Sequence, residues 1–299
     1  MKNNEHTTAF FGFINDYEAL ELSELIENKI ITHYQPPTFL IKIYSASKRY
    51  KIPFLERLCI LYAKKMLGIN HKNYVFDDHD LSIDVLKASN LDEEKVNVVF
   101  RNIVKNSTTV DGIREHYNCN LYSFDRNDCE KYGMIFYVQF CSGFSVLNIM
   151  EVKHTYTFDL YFLGRDKNRK DLIREIINFV KLDNNFIKII PDRSKEYIAY
   201  SEHLNKMTSS KIVIDIVQAG QVGITMRTAE ALLLGKKIIT NNLSILDSEF
   251  YHKDNIFLYK SGESQYSDFL SFYKSKNVTI PDEILYKLNP SYFYEKICN

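Results

Sequence analysis

Short apolar runs of strand character alternate along this chain with stretches in which apolar positions recur every third or fourth residue. In the first half the runs are Thr8 to Ile14, Asn73 to Phe76, Val96 to Val104, Leu121 to Phe124 and Met134 to Phe140. Each predicts a strand, Val96 to Val104 being long enough to allow a helix as well, with Gly12 permitting close backbone approach. Asp16 to Asn28, Val110 to Tyr117 and Arg126 to Tyr132 read as the helices between them. The pattern lapses from Ser142 to Thr155 and then restarts. Phe158 to Leu163 is a strand, and Leu172, Ile173, Ile176, Ile177 and Val180 fall at helical spacing. Strands at Phe186 to Ile190, Ile212 to Val217, Lys236 to Thr240 and Ile256 to Tyr259 follow, with a helix from Ser194, its N-cap, to Lys206. This alternation predicts an α/β protein with parallel sheets. Its natural architecture is two Rossmann-like domains, 1–150 and 151–299, joined near residues 145 to 156. Ligands in such folds bind beyond the carboxyl ends of the strands, here in the cleft that the two halves face.

The stretch Asp215 to Asn242, DIVQAGQVGITMRTAEALLLGKKIITNN, concentrates the chemistry. A strand end leads through Gly220 and Gly223 to a helix that starts near Thr225 and ends at Leu234, where Gly235 stops it. A helix N-terminus behind glycines offers free N–H groups and partial positive charge to an anion. Arg227 adds a guanidinium fork, and Glu230, one turn on, faces the same cleft as an acceptor for sugar or ribose hydroxyls. Upstream, Gly164, Arg165 and Lys170 occupy the loop after a buried strand, where a bidentate Arg and a point-charge Lys suit a diphosphate leaving group. The same run of charges also reads as a solvated helix start.

Glu230-Ala-Leu followed by Gly235-Lys-Lys-Ile-Ile resembles the donor-site helix of nucleotide-sugar glycosyltransferases of the GT-B fold, and Leu163-Gly164-Arg165 with Lys170 resembles their diphosphate-holding loop. The phrases SFDRNDCEKYGM and FDLYFLGRDKNR, with the 215–242 stretch, are similar to small bacterial proteins of capsule and lipopolysaccharide biosynthesis. The likeness spans roughly Cys119 to Asn255. It implies a GT-B-like transferase that uses a nucleotide-sugar donor, a glycan or glycolipid acceptor and no metal. One position departs from the pattern: the first of the family's two paired glutamates falls at Val222, leaving Gln218 or Gln221 as neutral substitutes.

Composition changes the picture in three ways. Lys plus Arg equals Asp plus Glu at 38 each, which excludes a global field for nucleic acid. Cys59, Cys119, Cys129, Cys141 and Cys298 lack metal or disulfide spacing, so reduced cytoplasmic thiols are expected. The first residues carry no secretory leader pattern, and no run approaches the roughly eighteen apolar residues of a membrane span. His33, His154, His203 and His252 show no ligand spacing. The 21 tyrosines and 20 phenylalanines fit a coding bias as readily as a sticky surface.

Asp77, Asp78, His79 and Asp80 form the densest titratable cluster. Asp77, Asp78 or His79 is expected to orient or deprotonate an acceptor hydroxyl. A divalent-metal site and a helix cap by Asp80 or Ser82 are the other readings. Across residues 38–68, cations interleave with apolar positions against one acid, Glu56, which reads either as solvated helices or as peripheral contact with an anionic membrane at its inner face. Two other functions are compatible with the donor loops: a GT-B-fold nucleotide-sugar epimerase and a non-catalytic partner in polysaccharide assembly.

Overall fold

The computed structural model describes residues 7–68, 70–142 and 156–298, so all but the last residue of the expected 145–156 junction, with His154, lies outside them. The chain divides into two compact units, one formed by Met1–Tyr137 with Phe293–Asn299 and the other by Val138–Tyr292. The sequence pattern places the whole C-terminus with the second domain, whereas its last residues join the first unit. There Phe293 packs on Tyr137 at 5.1 Å between ring centres, and Asn73 Nδ2 donates to the Cys298 carbonyl at 3.2 Å.

The first unit carries β1 (Thr8–Phe11), β2 (Ile31–Tyr34), β3 (Asn73–Asp77), β4 (Val96–Phe100), β5 (Asn120–Ser123) and β6 (Ile135–Phe136). All pair in parallel, in the order β2-β1-β3-β4-β5-β6. Its helices are α1 (Asp16–Glu21), α2 (Ser23–Glu27), α3 (Thr38–Tyr50), α4 (Pro53–Met66), α5 (Asp80–Ala88), α6 (Thr108–Arg114) and α7 (Arg126–Tyr132). The core is built by Phe11, Phe76 and Val98 from the strands against Tyr44, Ala63 and Leu86 from the helices. Each Phe, Val or Leu side chain among them taken fully out of water contributes about 1.5–3 kcal/mol.

The second unit carries β7 (Phe158–Arg165), α8 (Lys170–Val180), β8 (Asn185–Ile190), α9 (Tyr200–Thr208), β9 (Ser210–Asp215), α10 (Met226–Leu233), β10 (Lys237–Thr240) and β11 (Ile256–Leu258). Helices α11 (Tyr266–Lys274) and α12 (Asp282–Leu285) follow, and α13 (Pro290–Cys298) closes the chain, its residues from Phe293 on belonging to the first unit. Its sheet is also parallel, in the order β11-β10-β9-β7-β8. In both units the first strand lies between the second and the third. The chain therefore winds one way, returns past its first strand and winds the other, which opens a crevice at the carboxyl ends of β1 and β3 and, separately, of β7 and β9.

Local chemistry explains where these elements depart from the periodicity. Ile31–Tyr34, ITHY, is too short and too polar to announce β2. The helix expected from Asp16 to Asn28 breaks at Leu22, and the strand expected from Met134 to Phe140 shrinks to two residues. The helix expected from Ser194 starts at Tyr200 behind Ala199. The reason lies in Arg165, whose Nη1 donates to the carbonyls of Pro191, Asp192 and Ser194 and holds that segment in an irregular path.

Gly235 leaves α10 in the left-handed region, φ +60°, and the two lysines after it act as bolts. Lys236 Nζ donates to the Thr208 carbonyl at the end of α9. Lys237 Nζ donates to the carbonyls of Asp254 and Phe272 and, at 2.9 Å, to Ser275 Oγ, so it caps the last turn of α11. Cations suit helix C-termini because they meet unpaired carbonyls and the negative end of the dipole. Among the described residues no helix is long and apolar enough to cross a membrane.

Candidate functional site

In the second unit, the loops after β7 and β9 meet at the reversal of strand order, and Asp215 organises the meeting. This buried carboxylate closes β9. One of its oxygens accepts from Thr225 Oγ1 at 2.8 Å and Thr228 Oγ1 at 2.6 Å, and the other accepts from Arg227 Nη1 at 3.0 Å. Thr225 is the N-cap of α10, as its spacing behind the glycines predicts, and its hydroxyl also accepts from the Thr228 N–H. The loop before it turns through Gly220 at φ +86°. It is tied down by Asn242 Nδ2, which donates to the carbonyls of Val222 and Gly223.

Arg227 does not stand alone. Its Nη2 donates to the Leu163 carbonyl at 2.6 Å, its Nε is buried without an acceptor among the described residues, and its guanidinium lies 4.8 Å from the centre of the Phe162 ring. Arg169 approaches the same ring at 5.5 Å and donates to the carbonyls of Ile216 and Arg165. Gly164 makes room for both: a methyl group there would stand 2.8 Å from Arg227 Nη2 and 3.4 Å from Arg169 Nη2. Burial, and then the charge of Arg227, lower the pKa of Arg169 to about 10. Two guanidinium groups thus crowd around one carboxylate, and an anion would relieve them.

The loop that delivers Arg169 is tightly wound. Lys167 and Asn168 adopt φ of 44° and 61°, a left-handed pair without glycine, and Asp166 Oδ1 accepts from the N–H groups of both Arg169 and Lys170. Such strain is held by surrounding bonds and tends to collect at ligand sites. Lys170 is exposed at the start of α8. Of the residues that the sequence singles out, Gly164, Lys170, Gly223, Thr225 and Arg227 therefore lie in or beside these two loops. Arg165 is committed to the 191–194 segment instead, and Arg169, hidden in a run of charges, takes its place beside Arg227. Asp215 was also missed, because a carboxylate at a strand end carries no motif of its own.

Glu230 sits differently from its expected position on an open cleft. It is 0% exposed, and its oxygens accept from Tyr200 Oη at 2.6 Å and pair with His203 Nε2 at 2.8 Å. His203 Nδ1 meets Tyr161 Oη at 2.5 Å, so the network fastens α9, α10 and β7 together. With His203 neutral, a consistent arrangement has Nε2–H donating to the carboxylate and Nδ1 accepting from the phenol.

In the first unit, a cavity of about 310 Å³ opens at the carboxyl ends of β1 and β3, with Asn15, Glu18, Lys48, Asp77, Asp78 and His79 among its walls. Asp77 is buried; its Oδ2 accepts from the Phe13 N–H at 2.6 Å, and burial pushes its pKa up to about 7. Gly12 is required here. At φ +95° it turns the chain against this carboxylate, and a side chain would stand 2.3 Å from Asp77 Oδ1. Asp78 accepts from the Arg101 N–H at 3.1 Å and is likewise raised to about 7, by burial and then by Asp77. Glu18 is a cavity wall that the sequence reading passed over; its Oε2 accepts from both nitrogens of Asn15 at 2.9 Å.

His79, and neither Asp80 nor Ser82, caps α5, with Nδ1 accepting from the Leu81 N–H at 3.3 Å. Burial lowers its pKa, which keeps the ring neutral and able to accept. Asp80 is exposed and reaches Lys48 at 3.6 Å. Among the described residues no group of three or more His, Cys, Asp or Glu is arranged to hold a metal ion. Carboxyl groups that titrate near neutrality are suited to general acid–base work, since they exchange protons at working pH. Compared with known proteins, the chain matches no family model and no curated sequence.

Proposed function

We propose that this protein is a GT-B-like glycosyltransferase that moves a sugar from a nucleotide donor to a glycan or glycolipid acceptor of a bacterial surface polysaccharide. The observation that carries the reading is the pair Arg169 and Arg227 around Asp215 at the strand reversal of the second unit. Cleavage of the donor's glycosidic bond leaves a nucleoside diphosphate whose oxygens gain negative charge. Fixed guanidinium groups stabilise that charge more than they stabilise the intact donor. In this reading Arg169, Arg227 and Lys170 hold the diphosphate, and Gly164 leaves the room that the two guanidinium groups need. Asp78, on the wall of the cavity in the first unit and with a pKa near neutrality, receives the acceptor's hydroxyl proton; Asp77, more deeply buried on the same wall, holds the loop through the Phe13 N–H. His79 is a cap and is not assigned to the reaction.

A screen of nucleotide sugars for release of nucleoside diphosphate tests the reading, run with Asp78→Asn alongside the native chain. Loss of general-base assistance is expected to slow turnover by about a hundred- to ten-thousand-fold while nucleotide affinity is kept. Release that proceeds at the native rate in Asp78→Asn removes that residue from the mechanism. Isomerisation of the donor without acceptor points to an epimerase instead.

A further inference from the structure

Helices α3 and α4 form a hairpin turned by Lys51 at φ +53° and by Pro53 at the start of α4. Leu40, Tyr44, Cys59 and Ala63 anchor it on the sheet. The side turned away from the core should be polar in an ordinary amphipathic helix, and here it is not. Phe39, Ile43, Phe54, Leu58, Leu61 and Tyr62 are all exposed, Phe39 at 57% and Phe54 at 70%. Cations are set among them. Lys48 is paired with Asp84 and Asp80, and Lys64 is bonded to the Ala88 carbonyl. By contrast, Lys42, Arg49, Lys51, Arg57 and Lys65 form no ion pair among the described residues. From Thr38 to Gly68 there are seven cations and one acid, in a chain whose total charges balance at 38 and 38.

We infer that this face docks on an anionic lipid bilayer, with the apolar side chains entering the headgroup boundary and the five cations meeting lipid phosphates. Charge complementarity selects this occupant. A second copy would bring two like-charged faces together, with Glu56 as the only counter-charge in the segment. A bilayer instead supplies both an apolar layer and a dense array of phosphates, and Lys and Arg stems can lie along the one while their heads reach the other. The inference is independent of the donor site, since its residues belong to a different unit.

Vesicle co-sedimentation tests it, with phosphatidylcholine alone compared with phosphatidylcholine mixed with phosphatidylglycerol. The native chain is expected to pellet only with the anionic vesicles and to be released by high salt. Phe54→Ser with Leu58→Ser, and separately Arg57→Glu with Lys65→Glu, are each expected to lower the partition about tenfold or more, because each cation near the surface and each buried apolar side chain supplies a factor of several. Lys253→Glu with Lys276→Glu, an equal charge change in the second unit, is expected to leave binding unchanged. All these side chains are exposed, so melting temperatures serve as the folding control. Equal pelleting on both vesicle types, or no loss in the two face variants, overturns the proposal. So does a dimer in sedimentation velocity that Phe54→Ser with Leu58→Ser dissolves.

Discussion

Single residues carry the sharpest consequences, and Glu230 is the clearest of them. Its two oxygens are occupied by Tyr200 and His203 with no exposed surface left. Glu230→Gln is therefore expected to destabilise the fold by about 1–3 kcal/mol, the cost of weakening buried hydrogen bonds to a charge, while nucleotide affinity stays unchanged. Denaturant unfolding read beside calorimetry checks this. Unchanged stability with weakened nucleotide binding would return Glu230 to the ligand. Asp77 makes a pH prediction. Its folded pKa, near 7, lies above the ordinary 3.8, so the folded state holds the proton more tightly and stability falls as pH rises through the window from about 4 to 7. Asp78, raised by burial over the same window, keeps part of the decline, so Asp77→Asn should make that part of the stability profile shallower. A decline as steep as the native one would show that Asp77 is not the titrating group.

At the scale of elements, the sequence made some parts plain and concealed others for identifiable reasons. The passage from Thr225 through Gly235 is legible because a capping threonine, helical spacing and a left-handed glycine are local signals, and α10 forms between them. The lysines of Gly235-Lys236-Lys237 resemble part of a donor-site motif, yet their bonds run to the ends of α9 and α11. No local pattern reports such long-range partners. Replacing Lys237 by Met removes the ammonium that donates to the Asp254 and Phe272 carbonyls and to Ser275 Oγ, leaving Ser275 Oγ as the remaining side-chain donor to the Phe272 carbonyl. The expected loss is about 1–3 kcal/mol, measured by denaturant unfolding. No measurable loss would mean that water satisfies those groups. Ser194 failed as a cap for a related reason, since Arg165, distant in sequence, claims the carbonyls around it.

At the scale of the whole molecule, alternating runs announced two parallel α/β units, and both sheets show the same reversal of strand order. That reversal marks where each unit gathers its chemistry: carboxylates and a cavity in the first, guanidinium groups in the second. The sequence located both loops but could not sort Arg165 from Arg169, because only folding decides which of two nearby cations turns toward Phe162. The central claim is that the paired arginines hold the diphosphate of a nucleotide. Isothermal titration of UDP, GDP, ADP, dTDP and CDP into the native chain and into folded Arg169→Ala tests it most directly, with free pyrophosphate as a comparison. Binding of one nucleotide is expected, weakened in the variant by about 1.5–3 kcal/mol, roughly ten- to a hundred-and-fifty-fold, with pyrophosphate weakened alike. No binding by the native chain, or equal affinity in the two proteins, would contradict the account.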